Sequence, residues 1–236
     1  MYEMKTRVPY QDVGADGILT DTGLVKQFQN CCTFHCEDLG YGLPWLAERH
    51  LGWFVISWQI HVHKRPRFGD EVYVQTLPYN LKGPMGNRNF LVLDSDRNVL
   101  AEANSIWLLM DLKAQSPYRI PKDMIEAFRQ DEPLSISWPP RKIKIPNDRE
   151  ICYSFTVSPM HVDTNGHMNN AYYMDAAASA LPADFEADEV YVEYKAQAHL
   201  NDEVIVSKIG ISNGVQVVLE NEEQEPYATI LFINND

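Results

Sequence analysis

Within residues 161–175, HVDTNGHMNNAYYMD, three side chains able to do chemistry recur at alternate positions: Asp163, Asn165 and His167. In an extended segment alternate residues point the same way, so the spacing predicts that all three face one cleft. The imidazole is a base whose ordinary pKa lies near neutral pH. A carboxylate can orient it, and an amide can donate to a developing negative charge. His167 also stands just before a predicted helix, whose free N–H groups and dipole favour an anion. Attack on a thioester carbonyl creates an oxyanion of that kind, so the set holds the parts of a hydrolytic centre. On spacing alone, a turn around Asn165–Gly166 with a structurally satisfied histidine is the more frequent explanation.

Such residues need a scaffold, and the chain shows one pattern used twice. Residues 68–74 read FGDEVYV and residues 200–206 read LNDEVIV. Each follows an alternating segment (58–63 and 189–194) and precedes two further strand candidates, 87–94 and 100–111 in the first copy, 215–220 and 227–233 in the second. Period-2 alternation and many Val, Ile, Tyr and Trp residues support strands. Each copy opens with a short strand (4–10; 152–158), a polar turn (DVGADG; HVDTNG) and a helix (20 to about 36; about 169–180). Asp21 or Thr22 and Asn169 or Asn170 are candidate N-caps, and Pro182 stops the second helix. A period of about 130 residues is too long for a solenoid and marks a duplicated domain. Aligning Asp16 with Asp163 sets Ile18 opposite Asn165 and Thr20 opposite His167, so one active site per chain is expected.

The predicted organisation is a first domain over 1–130, a linker over 131–147 and a second domain over 148–236. The linker carries Pro133, Pro139, Pro140 and Pro146, a density that neither sheet nor helix tolerates. Each domain is an α+β unit, an antiparallel sheet wrapped on one helix, and two side by side can form one continuous sheet. A tandem chain supplies both halves of what is usually a homodimer, so a monomeric pseudo-dimer or a homodimer is expected.

Composition narrows the partners. The chain has 236 residues, 45% apolar and 11% aromatic, enough for one generous core or two modest ones. It has no run of about 18 apolar residues, so no membrane-spanning helix is expected. The start MYEMKTRVPY lacks signal or transit character, and the chain reads as cytoplasmic. Cys31, Cys32, Cys36 and Cys152 read as free thiols of a reducing compartment, and His61 and His63 as solvated strand histidines; no metal and no cofactor are expected. From residue 148 onward there are 16 acidic and 3 basic side chains, whereas residues 1–147 carry 17 of each, so the net −13 belongs to the C-terminal part. Nucleic acid is excluded as a partner by the lack of a basic surface. An acidic protein would dock on the neutral part or the linker, where Lys64, Arg65, Arg67, Arg141, Lys142 and Lys144 are the candidates; ordinary surface charge explains them too. No GxSxG elbow or phosphate loop supports a serine hydrolase or a nucleotide enzyme.

The stretch 161–175 resembles the DxNxHxNN motif of acyl-acyl carrier protein thioesterases, the tandem hot-dog enzymes of plant plastids and their bacterial relatives. VEYKAQAHLNDEV (192–204) is similar to the second signature of that family, and VPYQDVGADGILTDTGLVKQFQN and RFGDEVYVQT to its first domain, so the resemblance covers nearly the whole chain. It implies hydrolysis of a fatty acyl thioester on acyl carrier protein, with Asp163, Asn165 and His167 as catalytic residues and the first domain holding the acyl chain. Trp45, Leu46, Trp53, Phe54 and Val55 are candidates to line that pocket, and generic core packing accounts for each as well. Where many plant members have Glu followed by Cys, this chain has Gln197–Ala198, which removes a cysteine nucleophile. Gln197 can hold a water but cannot take its proton, which leaves His167 as the candidate base. The rival readings are an acyl-coenzyme A thioesterase, a hot-dog dehydratase (whose HxxGD-type signature is absent here) and a non-catalytic acyl-thioester sensor.

Overall fold

The computed structural model describes residues 1–235, which form two compact units: Met1–Ile56 with Val62–Trp138, and Ser57–His61 with the chain from Pro139 onward. The first unit contains β1 (Tyr2–Arg7), α1 (Asp21–Asp38), α2 (Leu43–Arg49), β2 (Leu51–Val62, shared with the second unit), β3 (Glu71–Lys82), β4 (Met85–Leu93), β5 (Val99–Asp111), the two-residue β6 (Ser116–Pro117) and α3 (Lys122–Phe128). Its strands run in the order β1-β3-β4-β5, all antiparallel. Helix α1 lies against β1 and β3, burying Leu24, Val25, Phe28 and Cys31, and the Phe28 and Phe90 rings meet at 5.0 Å. Thr20, not Asp21 or Thr22, caps α1 by accepting the Gly23 N–H at 3.0 Å, a bond worth about 1 kcal/mol. Gly23 is required there, because a Cβ would sit 2.4 Å from the Asp12 carbonyl oxygen.

The second unit contains β7 (Glu150–Thr156), α4 (Asn170–Ala178), β8 (Glu189–Tyr194), β9 (Glu203–Ile211), β10 (Gly214–Glu220) and β11 (Pro226–Ile233). Its strands run from the Ser57–His61 part of β2 through β8, β11, β10 and β9 to β7, again antiparallel. Ala171, Met174 and Ala177, each at most 3% exposed, recur every three residues along the face of α4 turned to β10 and β11. The alanines let the helix approach closely, and Met174 fills the remaining space; truncating it to Ala costs about 2–5 kcal/mol. Each unit is thus one antiparallel sheet curled on one helix, the hot-dog arrangement.

Strand β10 is buried on both faces, which a helix on one side alone does not explain. The other face is lined by the proline-rich segment from Pro139, whose backbone is strapped down by buried side chains while Lys142 and Lys144 stay exposed. Gln59 donates to the Pro139 carbonyl, Ile143 N–H to Glu193 Oε2 at 2.9 Å, and Gln216 to the Lys144 carbonyl at 2.9 Å. Arg149 closes the strap with two bonds to the Glu220 carboxylate, 2.9 and 2.7 Å, and one to Ser207 at 3.2 Å. Buried Gln59, Glu193 and Gln216 side chains on this face therefore serve the backbone of a segment whose prolines cannot pair in a ladder, while Glu220 and Ser207 hold the Arg149 guanidinium.

The duplication is visible bond by bond, and it corrects the alignment of the copies. Val13 bridges Leu19 as Val162 bridges Met168. Gly14 N–H donates to the Ile18 carbonyl as Asp163 N–H does to that of His167, both at 2.9 Å. Gly17 (φ 76°) matches Gly166 (φ 82°), and the caps Thr20 and Asn169 coincide. Gly14, Asp16 and Ile18 therefore stand opposite Asp163, Asn165 and His167, two residues away from the register that pairs Asp16 with Asp163. The first copy still lacks the carboxylate and the imidazole.

Candidate active site

The loop from Asp163 to His167 is a tight hairpin, not an extended segment. The Val162–Met168 bridge closes it, Gly166 N–H returns to the Asp163 carbonyl at 3.0 Å, and the Asp163 carboxylate accepts the Asn165 N–H at 2.8 Å. Asp163 thus shapes the turn that carries the other two side chains. All three are half-buried.

A second loop, Lys195 to Asp202, is clamped against this hairpin through Ala198. Its carbonyl accepts the Met168 N–H at 2.9 Å, and its own N–H donates to the hydroxyl of Tyr173 on α4, also at 2.9 Å. The clamp brings His199 beside His167: ring centroids lie 4.7 Å apart at 74°, edge to face. His199 N–H donates to Asp202 Oδ2 at 2.8 Å, and its Nδ1 stands 3.6 Å from the same oxygen. The Tyr227 hydroxyl on β11 donates to that oxygen at 3.3 Å. His199 lies inside the 192–204 stretch but is not singled out by the sequence; its alternation with Gln197 is the signal that could have found it. Gln197 itself is exposed, and its side chain makes no hydrogen bond among the described residues.

Electrostatics separate the two titratable members of the hairpin. Burial raises the Asp163 carboxyl above the ordinary carboxylate value, opposed by the Asn165 and His167 N–H groups and the nearby imidazole. Burial also lowers His167, reinforced by His199 and opposed by Asp163. Desolvation thus outweighs the mutual attraction of the pair, and the imidazole is neutral and proton-accepting at pH 7. Helix α4 begins three residues after His167, but its tip is partly occupied. The cap Asn169 accepts the Ala171 N–H at 2.9 Å and its carbonyl takes the Tyr172 N–H at 2.9 Å. Among the described residues no hydrogen bond is seen from the Asn170 N–H, which is a first-turn donor for a ligand oxygen.

The remaining candidates scatter. Trp45 on α2 and Trp53 on β2 both pack against the apolar cluster of Leu51, Leu109, Ile120, Met124 and Phe128. Val55 shares the Trp53 face of β2 while Phe54 points to the other, so the four do not form one wall. Among the cations, Arg65 is held by Asp21 at 2.7 Å and Arg141 faces Glu193 at 3.4 Å, both partly buried. Arg67 donates to the Asp16 carbonyl, while Lys64, Lys142 and Lys144 are exposed. His63 faces Glu102 at 3.3 Å and His61 the Tyr191 hydroxyl at 3.2 Å.

Two sheet-wrapped helices in one chain, with the polar hairpin at the tip of the second, define a tandem hot-dog protein. An acyl-ACP thioesterase of Bacteroides thetaiotaomicron shares this fold, with a TM-score of 0.87 at 23% identity over 98% of this chain and 96% of that one. So does the 12:0-ACP thioesterase of Umbellularia californica, at 0.82 and 18% identity over 98% and 96%. The model of the acyl-ACP thioesterase N-terminal domain matches residues 1–128, and that of the C-terminal domain residues 145–234. The chain belongs to the acyl-ACP thioesterase family. It is 26% identical over 220 residues to the chloroplastic palmitoyl-acyl carrier protein thioesterase of Gossypium hirsutum, covering 86% of this chain and 53% of that protein. It is 22% identical over 241 residues to the oleoyl-acyl carrier protein thioesterase 1 of Arabidopsis thaliana, covering 90% and 66%. The chain spans about half the length of the first curated relatives it matches.

Proposed function

We propose that this protein hydrolyses the thioester between a fatty acyl group and acyl carrier protein, releasing free fatty acid and the carrier thiol in fatty acid biosynthesis. The observation that carries the reading is the hairpin of Asp163, Asn165 and His167, pinned by Ala198 at the start of α4 in a chain of this family. Water attacks the carbonyl carbon, His167 takes its proton, and the oxyanion is met by the Asn165 amide and the Asn170 N–H. Collapse of the tetrahedral intermediate expels the carrier thiolate, which recovers the proton from His167. Asp163 holds the hairpin and offsets the charge that His167 gains. Gln197, though exposed, is assigned to steady the water.

The division proposed is a catalytic C-terminal hot-dog domain (148–236), the linker (131–147) and an acyl-binding N-terminal domain (1–130). Trp45 and Trp53 contribute to the acyl site through their shared cluster, with Val55 beside them. Exposed Lys64, Lys142 and Lys144 are assigned to the acidic carrier. Four free cysteines suit a cytoplasmic, reducing setting, and among the described residues no helix is long and apolar enough to cross a membrane. The test is release of free thiol from acyl carrier proteins bearing chains from short to long, beside the same acyl groups on coenzyme A. Turnover on carrier substrates is the expected result. Faster turnover of the coenzyme A esters would transfer the assignment to that donor, and binding without thiol release would make the protein a sensor.

A further inference from the structure

Each unit builds the same two clamped loops, so the first unit shows which contacts belong to the scaffold alone. Arg67 N–H donates to Asp70 Oδ2 at 2.8 Å, matching His199 N–H on Asp202 Oδ2 at 2.8 Å. Leu19 N–H donates to the Pro66 carbonyl as Met168 N–H does to that of Ala198, all at 2.9 Å. The aspartate contact and the clamp are therefore common to a unit with the reactive hairpin and one without it. What differs is the pair of side chains at the meeting point: Ile18 and Arg67 in the first unit, His167 and His199 in the second. The imidazole pair goes with the chemistry, whereas the aspartate goes with the fold.

We propose that His199 is a positioning residue for His167, fixing the orientation of its ring by edge-to-face packing and keeping it in the neutral, proton-accepting form. The proposal rests on the reading of His167 as the general base. The titratable groups around the pair are Asp163 on the hairpin, Asp202 beside His199, Tyr173 on α4 and Tyr227 on β11. Of these, Asp163 favours a charged His167, and His199 is the neighbour that opposes it. A base must be unprotonated to act, so a neighbour that discourages protonation extends activity toward acid.

Two substitutions have opposite signs. His199→Gln removes the opposing group, so His167 takes up its proton at higher pH and the acid limb of kcat/KM moves up. His199→Arg sets a permanent positive charge there, as Arg67 does in the first unit, and the limb moves down. Both lower kcat by on the order of tenfold to a hundredfold through misplacement of the ring, with KM little changed. The second readout is the His167 imidazole titration followed by NMR, which is independent of turnover: it rises in His199→Gln and falls in His199→Arg. A purely structural role for His199 moves both variants in the same direction or neither, and that result overturns the proposal. Opposite NMR shifts in a protein that cleaves no acyl-carrier thioester uphold the pair's electrostatic coupling and overturn the thioesterase reading instead.

Discussion

The environments of His167 and Gln197 differ in a way that sets their expected contributions to catalysis. His167 is half-buried, fixed by a closed hairpin and neighboured by an imidazole and a carboxylate. Gln197 is exposed and its side chain is held by nothing among the described residues. A group contributes to a transition state in proportion to how well it is pre-oriented. His167→Ala is therefore expected to lower kcat by about a thousandfold or more, Asn165→Ala by about a hundredfold, and Gln197→Ala by less than tenfold. Steady-state kinetics with circular dichroism as a folding control measure all three. If Gln197→Ala matches His167→Ala, the water is held by Gln197 and the exposed rotamer is not the working one.

At the scale of elements, α1 and β4 carry an acid sensitivity. His35 on α1 is 7% exposed, and Arg88 Nη1 on β4 lies 3.2 Å from its Nδ1, an arrangement that needs an unprotonated ring nitrogen as acceptor. Arg88 is itself 7% exposed and also donates to Thr76 at 3.2 Å, its guanidinium resting 4.9 Å over the Phe128 ring. Burial, then the Arg88 charge, holds His35 down to about 3. The unfolded chain binds this proton near pH 6.5 and the folded one refuses it until about pH 3, so stability falls as pH drops through that window. By pH 5 the loss from this one group is about 2 kcal/mol. Urea unfolding at pH 7 and pH 5 tests it: His35→Gln is expected to lose less between the two than the parent does. An undiminished loss in the variant places the acid sensitivity elsewhere.

The same elements show what sequence patterning reaches. Alternation marks β8, β10 and β11 to within a residue or so, and β10 and β11 turn an apolar face to α4. Helices α2 and α3 are seven residues each, too short to show a helical period, and α2 contains Pro44 in its first turn, which reads as a break. The two-residue slip between the copies arises from matching one aspartate to another. Gly14, which replaces Asp163, has no side chain to align, while the hydrogen bonds that equate them are backbone bonds. Asp163, Asn165 and His167 were legible as a set, although their geometry is a hairpin held by main-chain bonds. His199 was not, since it reaches His167 only through a clamp between residues 30 positions apart, Met168 and Ala198.

For the whole molecule, the decisive quantity is the charge of −13 and its concentration beyond residue 148. On the proposed function an acidic carrier would meet a repulsive field from that part, and its docking would depend on exposed cations. Arg65 and Arg141 are tied to Asp21 and Glu193, and within the second unit only Lys142 and Lys144 stand exposed on the strap itself. The strap carries them on a backbone fixed by Glu193 and Gln216, so the positive charges are presented at a set place on an otherwise acidic unit. The double substitution Lys142→Glu, Lys144→Glu is expected to raise KM for an acyl-carrier substrate by roughly fivefold or more and to leave kcat intact, since it changes encounter and not the hairpin. The KM for the same acyl group on a small neutral thiol should not move. Raising ionic strength from about 0.05 to 0.5 M shortens the reach of such charges from above ten to a few ångströms, so the gap in KM between variant and parent should narrow. Equal salt dependence in the two proteins would show that the carrier docks elsewhere, and Lys64 on the less acidic first unit then becomes the cation to reverse.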